Sequence, residues 1–218
     1  MYRTPVRIIA GKFRGRQLEC PKDVTRPTLD RVREALFSIL GDLSGQCVVD
    51  LYAGSGALGL EALSRGARHV SLVEADRAAA KVIRKNFASW GVDAQVRVLE
   101  TTAEHSRSPL AGVKPIDLVL ADPPWAIAQE AALIVARAVK GLLASDARIV
   151  LGHAAKERLS LLEDSGLVVV DCRTWGDSAL SFLTPLPEAV AATSAAATSA
   201  GRTPPTSTRP STEDKTPS

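Results

Sequence analysis

The sequence predicts an α/β fold: a Rossmann-like, doubly wound sheet of seven strands, mostly parallel with the last strand antiparallel, preceded by a short N-terminal β-hairpin extension. Three observations carry this. Apolar strand-like runs alternate with amphipathic helical runs along most of the 218 residues, the pattern of a parallel sheet covered on both faces. The glycine pattern Gly54-Ser-Gly56-Ala-Leu-Gly59 leaves a strand and opens a helix. The last two strand candidates are joined across Trp175–Ser178 without room for a helix, so they form an antiparallel hairpin.

Taken in order, Arg7–Leu18 (RIIAGKFRGRQL) reads as a hairpin around Gly11 and Gly15. Thr28 is placed to N-cap a helix carrying Val32, Ala35, Leu36, Ile39 and Leu40 on one face, which leaves Arg31 and Arg33 off the apolar stripe. Cys47–Tyr52, His69–Glu74, Gln95–Leu99, Ile116–Ala121, Arg148–Leu151, Leu167–Cys172 and Ala179–Leu183 are the seven strands. Helices are expected at Ala57–Arg65, Asp76–Ser89, Ile127–Leu143 and Ala154–Asp164. From Ala189 onward the composition is Ala, Ser, Thr and Pro, too poor in apolar surface to order itself. The organisation expected is therefore a basic hairpin extension over 1–25, the main domain over 26–188 and a disordered tail over 189–218.

Composition narrows the class. Apolar residues make up 45%, enough for a full core. No apolar run reaches the roughly 18 residues of a membrane span, and no apolar h-region follows the N-terminal charges, so neither a membrane anchor nor a signal peptide is expected. Cys20, Cys47 and Cys172 are odd in number and far apart, fitting neither a disulfide framework nor a zinc site and favouring a reducing cytoplasm. Residues 1–34 hold nine Lys/Arg and four Asp/Glu, whereas residues 35–188 hold fifteen and eighteen. A basic N-terminus on a mildly acidic body suits a polyanion such as nucleic acid, although a merely solvated basic face has the same composition.

The glycine loop lets a ligand touch the backbone at a helix N-terminus, and by itself fits a nicotinamide dinucleotide or S-adenosylmethionine equally. Two acids narrow the choice. Glu74 ends the second strand, where a carboxylate accepts hydrogen bonds from both ribose hydroxyls. Asp50, four residues before Gly54, is out of place against a pyrophosphate and suits a ligand with ammonium and sulfonium centres; it can equally cap the glycine turn. The second motif, Asp122-Pro123-Pro124-Trp125, follows a buried strand. An exocyclic amino group is a poor nucleophile because its lone pair is conjugated into the base. A carboxylate and the Pro123 carbonyl accepting its two N–H groups draw the nitrogen toward sp3 geometry, and Trp125 offers a face for stacking.

These stretches together resemble the RsmD family of bacterial 16S rRNA guanine-N2 methyltransferases, within the class I S-adenosylmethionine-dependent methyltransferases. The resemblance rests on Arg7-Ile-Ile-Ala-Gly-Lys-Phe-Arg-Gly-Arg, on Arg26-Pro-Thr-Leu-Asp-Arg-Val-Arg-Glu-Ala-Leu-Phe, on Asp50-Leu-Tyr-Ala-Gly-Ser-Gly-Ala-Leu-Gly and on Asp122-Pro-Pro-Trp. It runs from about Arg7 to Leu186. It implies S-adenosylmethionine as donor, S-adenosylhomocysteine as product, and guanine 966 of 16S rRNA as target, presented by a partly assembled 30S subunit. By position it assigns Asp122, Pro123, Pro124 and Trp125 to catalysis. Asp50, Tyr52, Ala53, Gly54, Ser55, Gly56, Glu74, Ala75, Thr102, Ala103 and Asp122 fall to the cofactor. Arg7, Lys12, Arg14, Arg16, Arg26 and Arg31 fall to RNA. A monomer that needs no metal and no membrane is expected. Two departures stand out. The family places an Asp-Ala pair after the third strand, its Asp reaching the adenine amino group; here Thr102 stands in that place, leaving adenine to backbone groups or a neighbouring acid. Trp125 occupies a position where Tyr is commoner. Adenine-N6 methylation of DNA shares the motif chemistry. A nicotinamide-dependent oxidoreductase explains the glycines but neither Asp50 nor the proline motif. A non-catalytic RNA-binding protein explains the charge but not the two ligand acids.

Overall fold

The computed structural model describes residues 6–20, 30–113, 115–161 and 165–186. Strands β1 (Val6–Arg7) and β2 (Gln17–Leu18) form the N-terminal hairpin, and helix α1 (Asp30–Leu40) follows. The main sheet is built from β3 (Cys47–Asp50), β4 (His69–Glu74), β5 (Val96–Glu100), β6 (Ile116–Ala121), β7 (Leu143–Ala154), β8 (Leu167–Trp175) and β9 (Ser178–Pro185). Helices α2 (Ala57–Ser64), α3 (Arg77–Trp90), α4 (Arg107–Leu110) and α5 (Ala128–Val139) connect them. The order across the sheet is β5-β4-β3-β6-β7-β9-β8. Pairing is parallel from β5 to β7, and β9 runs antiparallel to both β7 and β8. From β3 the chain winds outward through β4 to β5, then returns to pair β6 against the other side of β3. The crevice above β3 and β6 is therefore a topological switch point, where open α/β sheets bind ligands.

Every residue of β3 is buried, as a central strand covered on both faces requires. Alternate residues feed two cores. Val48, Leu118, Leu120 and Val150 pack under the hairpin, α1 and α2. Val49, Val119, Ile149 and Leu151 pack under α5. Helix α3 starts because the Asp76 carboxylate accepts from the Ala79 amide at 2.7 Å, and stops where Gly91 adopts φ +68°.

The hairpin is clamped to α2 by buried polar groups. Glu61 is completely buried and accepts from the Ile9 and Ala10 amides at 2.7 and 3.0 Å. Ser64 Oγ accepts from the Phe13 amide and donates to the Ala10 carbonyl. Gly11 lies flat on this helix end, with φ +81°, and a Cβ there would sit 1.9 Å from the Ser64 carbonyl oxygen.

The structure corrects four sequence expectations. Arg33 belongs to the buried face of α1, with Val32, Leu36, Phe37 and Leu40, while Ile39 is exposed. It can be buried because its Nη2 donates to the Arg7 carbonyl and to Asp30. Helix α5 ends at Val139, not Leu143, because Gly141 takes φ +75°. Strand β7 is longer than Arg148–Leu151 and runs through Ala154. No helix spans 154–161: burial alternates along 155–161, Leu159 and Leu161 pack on the second core, and Gln129 of α5 exchanges two hydrogen bonds with the Ser160 backbone. That is an extended strap of period two. Thr28 and the 189–218 tail lie outside the described residues.

Gly11→Ala should detach the hairpin from α2, because both the positive φ and the contact with Ser64 forbid a side chain. We expect a loss of about 2–4 kcal/mol in urea denaturation and new protease cleavage within 6–20. A variant with unchanged stability and cleavage would show that the clamp is dispensable.

Candidate active site

The loop from β3 to α2 is held by acids on both sides. Asp50 is completely buried; its Oδ2 accepts from the Gly59 amide at 3.2 Å, while Oδ1 is buried without a hydrogen-bond partner. Gly56 opens α2 with φ +79°, a conformation that favours glycine. Gly59 must also be small, since a Cβ would lie 2.9 Å from Leu72, the close helix–strand approach that the third glycine of such loops provides. From β4, Glu74 accepts from the Gly54 amide at 2.7 Å through Oε2 and from the Asp76 amide at 2.8 Å through Oε1. Each oxygen keeps a further lone pair, so the carboxylate is fixed and still able to accept from a ligand.

Opposite, at the end of β6, Asp122 is half-buried, Pro123 buried, Pro124 exposed and Trp125 half-buried. The chain turns there as the Ile127 amide donates to the Pro124 carbonyl. Room for Asp122 comes from β7: a Cβ on Gly152 would lie 2.5 Å from Asp122 Oδ1.

Both loops line one cavity of about 1290 Å³. Tyr52, Ala53, Gly54, Ser55, Glu74, Ala75, Thr102 and Ala103 line it, as do Asp122, Pro123, Pro124, Trp125 and Arg31. Asp50 and Gly56 stand behind the wall, shaping the loop. Burial pushes the Asp50 carboxyl up to about 7, against the Gly59 amide, and the charges of Asp122 and Glu74 push the same way. Tyr52 is driven up to about 12 by burial, then by Glu104 and Glu130, and its hydroxyl is buried without a partner.

The comparisons with known proteins show the family. A family profile described as conserved hypothetical protein 95 matches residues 6–184. Ribosomal RNA small subunit methyltransferase D of Escherichia coli K12 is 38% identical over 164 residues, 74% of this chain and 68% of that protein. The chain belongs to the RsmD family. Among solved structures, the yhhF protein of Escherichia coli is 31% identical with a TM-score of 0.71, covering 84% of this chain and 99% of its own. A hypothetical protein of Thermus thermophilus is 30% identical with a TM-score of 0.68, covering 83% and 99%.

For an RsmD-family methyltransferase, the basic hairpin is firmly seated. Arg7, Lys12, Arg14 and Arg16 are all exposed. The Arg16 guanidinium lies 5.2 Å from the Phe13 ring centre and 5.4 Å from that of Trp90. Arg26 lies outside the described residues. Among the described residues no group of three or more His, Cys, Asp or Glu could hold a metal ion, and no helix is long and apolar enough to cross a membrane.

Cavity residues that escaped sequence reasoning include Arg33, Glu104, Gly152, His153 and Trp175. Arg33 is buried with Nε and Nη1 lacking partners, and burial lowers its pKa. His153 Nδ1 lies 2.9 Å from the Ala154 carbonyl and Nε2 2.9 Å from Ser181 Oγ, so both ring nitrogens are engaged. Trp175 reaches the cavity from the β8–β9 turn, and a Cβ on Gly176 of that turn would be 3.1 Å from Arg31 Nη2. Gly152 left a sequence signal, as a glycine inside an apolar strand, and Glu104 is an acid neighbouring Thr102.

The buried Asp50 gives a pH signature. Unfolded, it titrates near ~3.9; in the fold it stays protonated up to about 7. Unfolding therefore releases a proton between these values, so its contribution to stability falls as pH rises from ~4 toward neutrality and is level above. Asp50→Asn should remove that slope: between pH 5 and pH 8 wild type should lose melting temperature relative to the variant. Parallel curves would mean that the carboxyl is ionised throughout.

Proposed function

We propose that this chain transfers a methyl group from S-adenosylmethionine to the exocyclic N2 of a guanine in 16S rRNA. The guanine is position 966 by family resemblance, within a partly assembled 30S subunit in the cytoplasm, and the enzyme acts as a monomer. One observation carries the reading: the glycine loop of β3 and the Asp122-Pro123 loop of β6, at the ends of paired strands, border a single cavity. At about 1290 Å³ it exceeds the ~300–1,000 Å³ typical of one small ligand, leaving space for a nucleobase beside a donor. The name of the Escherichia coli relative, ribosomal RNA small subunit methyltransferase D, favours rRNA over DNA.

The donor, when bound, supplies an electrophilic methyl on a sulfonium centre. The chain's own residues do the rest. Glu74, locked by two amides, receives the ribose hydroxyls, and the Gly54–Gly56 turn brings backbone against the methionine end. Trp125 stacks on the base, which must leave its own stack to enter. Asp122 and the Pro123 carbonyl accept the two N2–H groups and aim the nitrogen lone pair. The donor would give its methyl to N2 and keep the carbon–sulfur electron pair as a neutral thioether, while Asp122 takes the N2 proton late. No covalent enzyme intermediate or metal is required. The acceleration comes mainly from orientation, for which well-aligned reactants gain on the order of 7–11 kcal/mol.

Tritiated-methyl transfer to 30S particles, with the modified nucleotide mapped, tests the assignment; label appearing only on adenine or only on DNA would overturn it. Asp122→Ala should lower turnover by about 10³-fold or more while donor affinity stays within about twofold. Gly152→Ala, whose methyl displaces the same carboxylate, should lose turnover in the same direction with its donor affinity kept. Near-normal rates in both variants would remove Asp122 from the mechanism.

In the same reading, Arg7, Lys12, Arg14 and Arg16, with Arg26 and Arg31, contact RNA phosphates. Replacing Lys12, Arg14 and Arg16 together by Gln should weaken particle binding and flatten the log–log dependence on salt by roughly 2–3 units. An unchanged slope would place the RNA elsewhere.

A further inference from the structure

Helix α3 carries a charge excess that the composition of the body conceals. Four of its fourteen residues are basic and none is acidic. By contrast α1 holds two of each, α2 one acid and no base, and α5 one of each. Over 35–188 the remainder then holds eleven Lys/Arg against eighteen Asp/Glu, so α3 is a basic element on an acidic body. Its exposed face shows Arg77, Lys81, Arg84 and Lys85, with only Ala78, Ala88 and Ser89 between them.

Arg77, Lys81 and Lys85 recur every fourth residue and so form one ridge, with a cation about every 6 Å along the axis. That repeat is comparable with the spacing of successive phosphates along a single strand, and the small side chains between let a backbone lie close to the helix. Among the described residues Arg77 and Lys81 pair with no acid. Lys85 pairs with Glu19, both of them exposed; such a pair contributes little and yields to a stronger anion. Arg84 leans the other way, onto Glu100.

Both ends of the ridge lead to features already described. At its start Ala78 and Val82 line the cavity. Toward its end α3 is fastened to the hairpin: Asn86 donates to the Glu19 carbonyl and accepts from the Glu19 amide, at 2.9 and 3.0 Å. There the Arg16 guanidinium lies over Trp90. The exposed Lys12, Arg14 and Arg16 are thus joined to the rim of the cavity by an uninterrupted basic path.

We propose that the Arg77-Lys81-Lys85 ridge of α3 is a second RNA contact, which carries the phosphates of the single strand flanking the target nucleotide between the hairpin and the rim of the cavity. This rests on the rRNA reading and names a surface that the basic N-terminus does not contain. A single strand fits better than a duplex, because a flipped or looped-out base is what the cavity admits.

The test is binding of the full chain to 30S particles across a salt series, beside methyl transfer to the same particles. Replacing Arg77, Lys81 and Lys85 together by Gln should weaken binding about tenfold or more. The log–log salt dependence should flatten by about 2, at roughly 0.7 per single-strand phosphate released. KM for the particle should rise while kcat and donor affinity stay within about twofold, because the ridge touches neither reacting group. Gln keeps helix propensity close to that of Lys and Arg, and all three sites are exposed, so the variant should fold. Arg137, Lys140 and Arg158, exposed on the opposite face of the sheet, provide the control: their triple Gln variant loses the same charge and should keep the wild-type slope. An unchanged slope and affinity in the α3 variant, or an equal loss in the control, would overturn the proposal. Wild-type protein that does not bind the particle at all would instead overturn the rRNA reading on which it depends.

Discussion

The parallel pairing of β3 with both β4 and β6 is the constraint on which the site depends. Val48 to Asp50 register against Val70 to Leu72 on one side and Leu118 to Leu120 on the other. With that register fixed, the glycine loop, Glu74 and Asp122 all emerge at one edge of the sheet. Residues far apart in sequence then share a cavity without any loop having to reach. Asp50 sits at the centre of this arrangement, where it ties the β3 end to the α2 amide of Gly59. The same carboxyl that ends the strand thereby sets the angle at which the helix leaves it.

The polar clamp between the hairpin and α2 extends that logic to the surface. Glu61 and Ser64 lie on the helix that the glycine loop opens, and they hold the backbone of Ile9, Ala10 and Phe13. The exposed Lys12, Arg14 and Arg16 are therefore carried on the same rigid body as the cofactor-side loop. Arg33 adds a second tie, from α1 to the Arg7 carbonyl. A basic segment that could have been a loose arm is instead indexed to the cavity, so that on the proposed reading its grip on a polyanion decides where the cavity opens. That geometric link is worth more to specificity than the charges alone, which attract any phosphate backbone.

Much of this was legible in the sequence because its signals are local. The strand, Gly54-Ser-Gly56 and helix form a contiguous string that reads as a strand–turn–helix, and Ile116–Ala121 with the proline motif reads as a strand and its exit loop. The seven strands and the antiparallel close followed from alternation and from the short connection at Trp175. What escaped was non-local. Arg33 reads as solvent-facing because charge outweighs period in a single helix; the carbonyl of Arg7, brought in from the hairpin, joins the carboxylate of Asp30 on the same helix to make its burial tolerable. Residues 155–161 carry leucines compatible with either period. The choice went to an extended strap because Gln129, on another element, offers the Ser160 backbone both a donor and an acceptor. Trp175 reaches the cavity only through sheet order, which no local pattern encodes.

On the proposed chemistry, the acids around the cavity bear on turnover as well as on binding. Asp122 and Glu74 each raise the pKa of the buried Asp50, so these carboxylates already interact unfavourably with one another. A cation placed among them relieves that repulsion, and in a partly desolvated site the attraction is several times stronger than in water. On the proposed chemistry the donor enters carrying a sulfonium charge and the product leaves as a neutral thioether. The same negative field that holds the donor thus loses its grip once the methyl is gone, while the amino-acid end keeps its own ammonium. The field therefore discriminates between donor and product by the one charge that the reaction removes, and the cost of crowding acids at the switch point becomes a means of clearing the site.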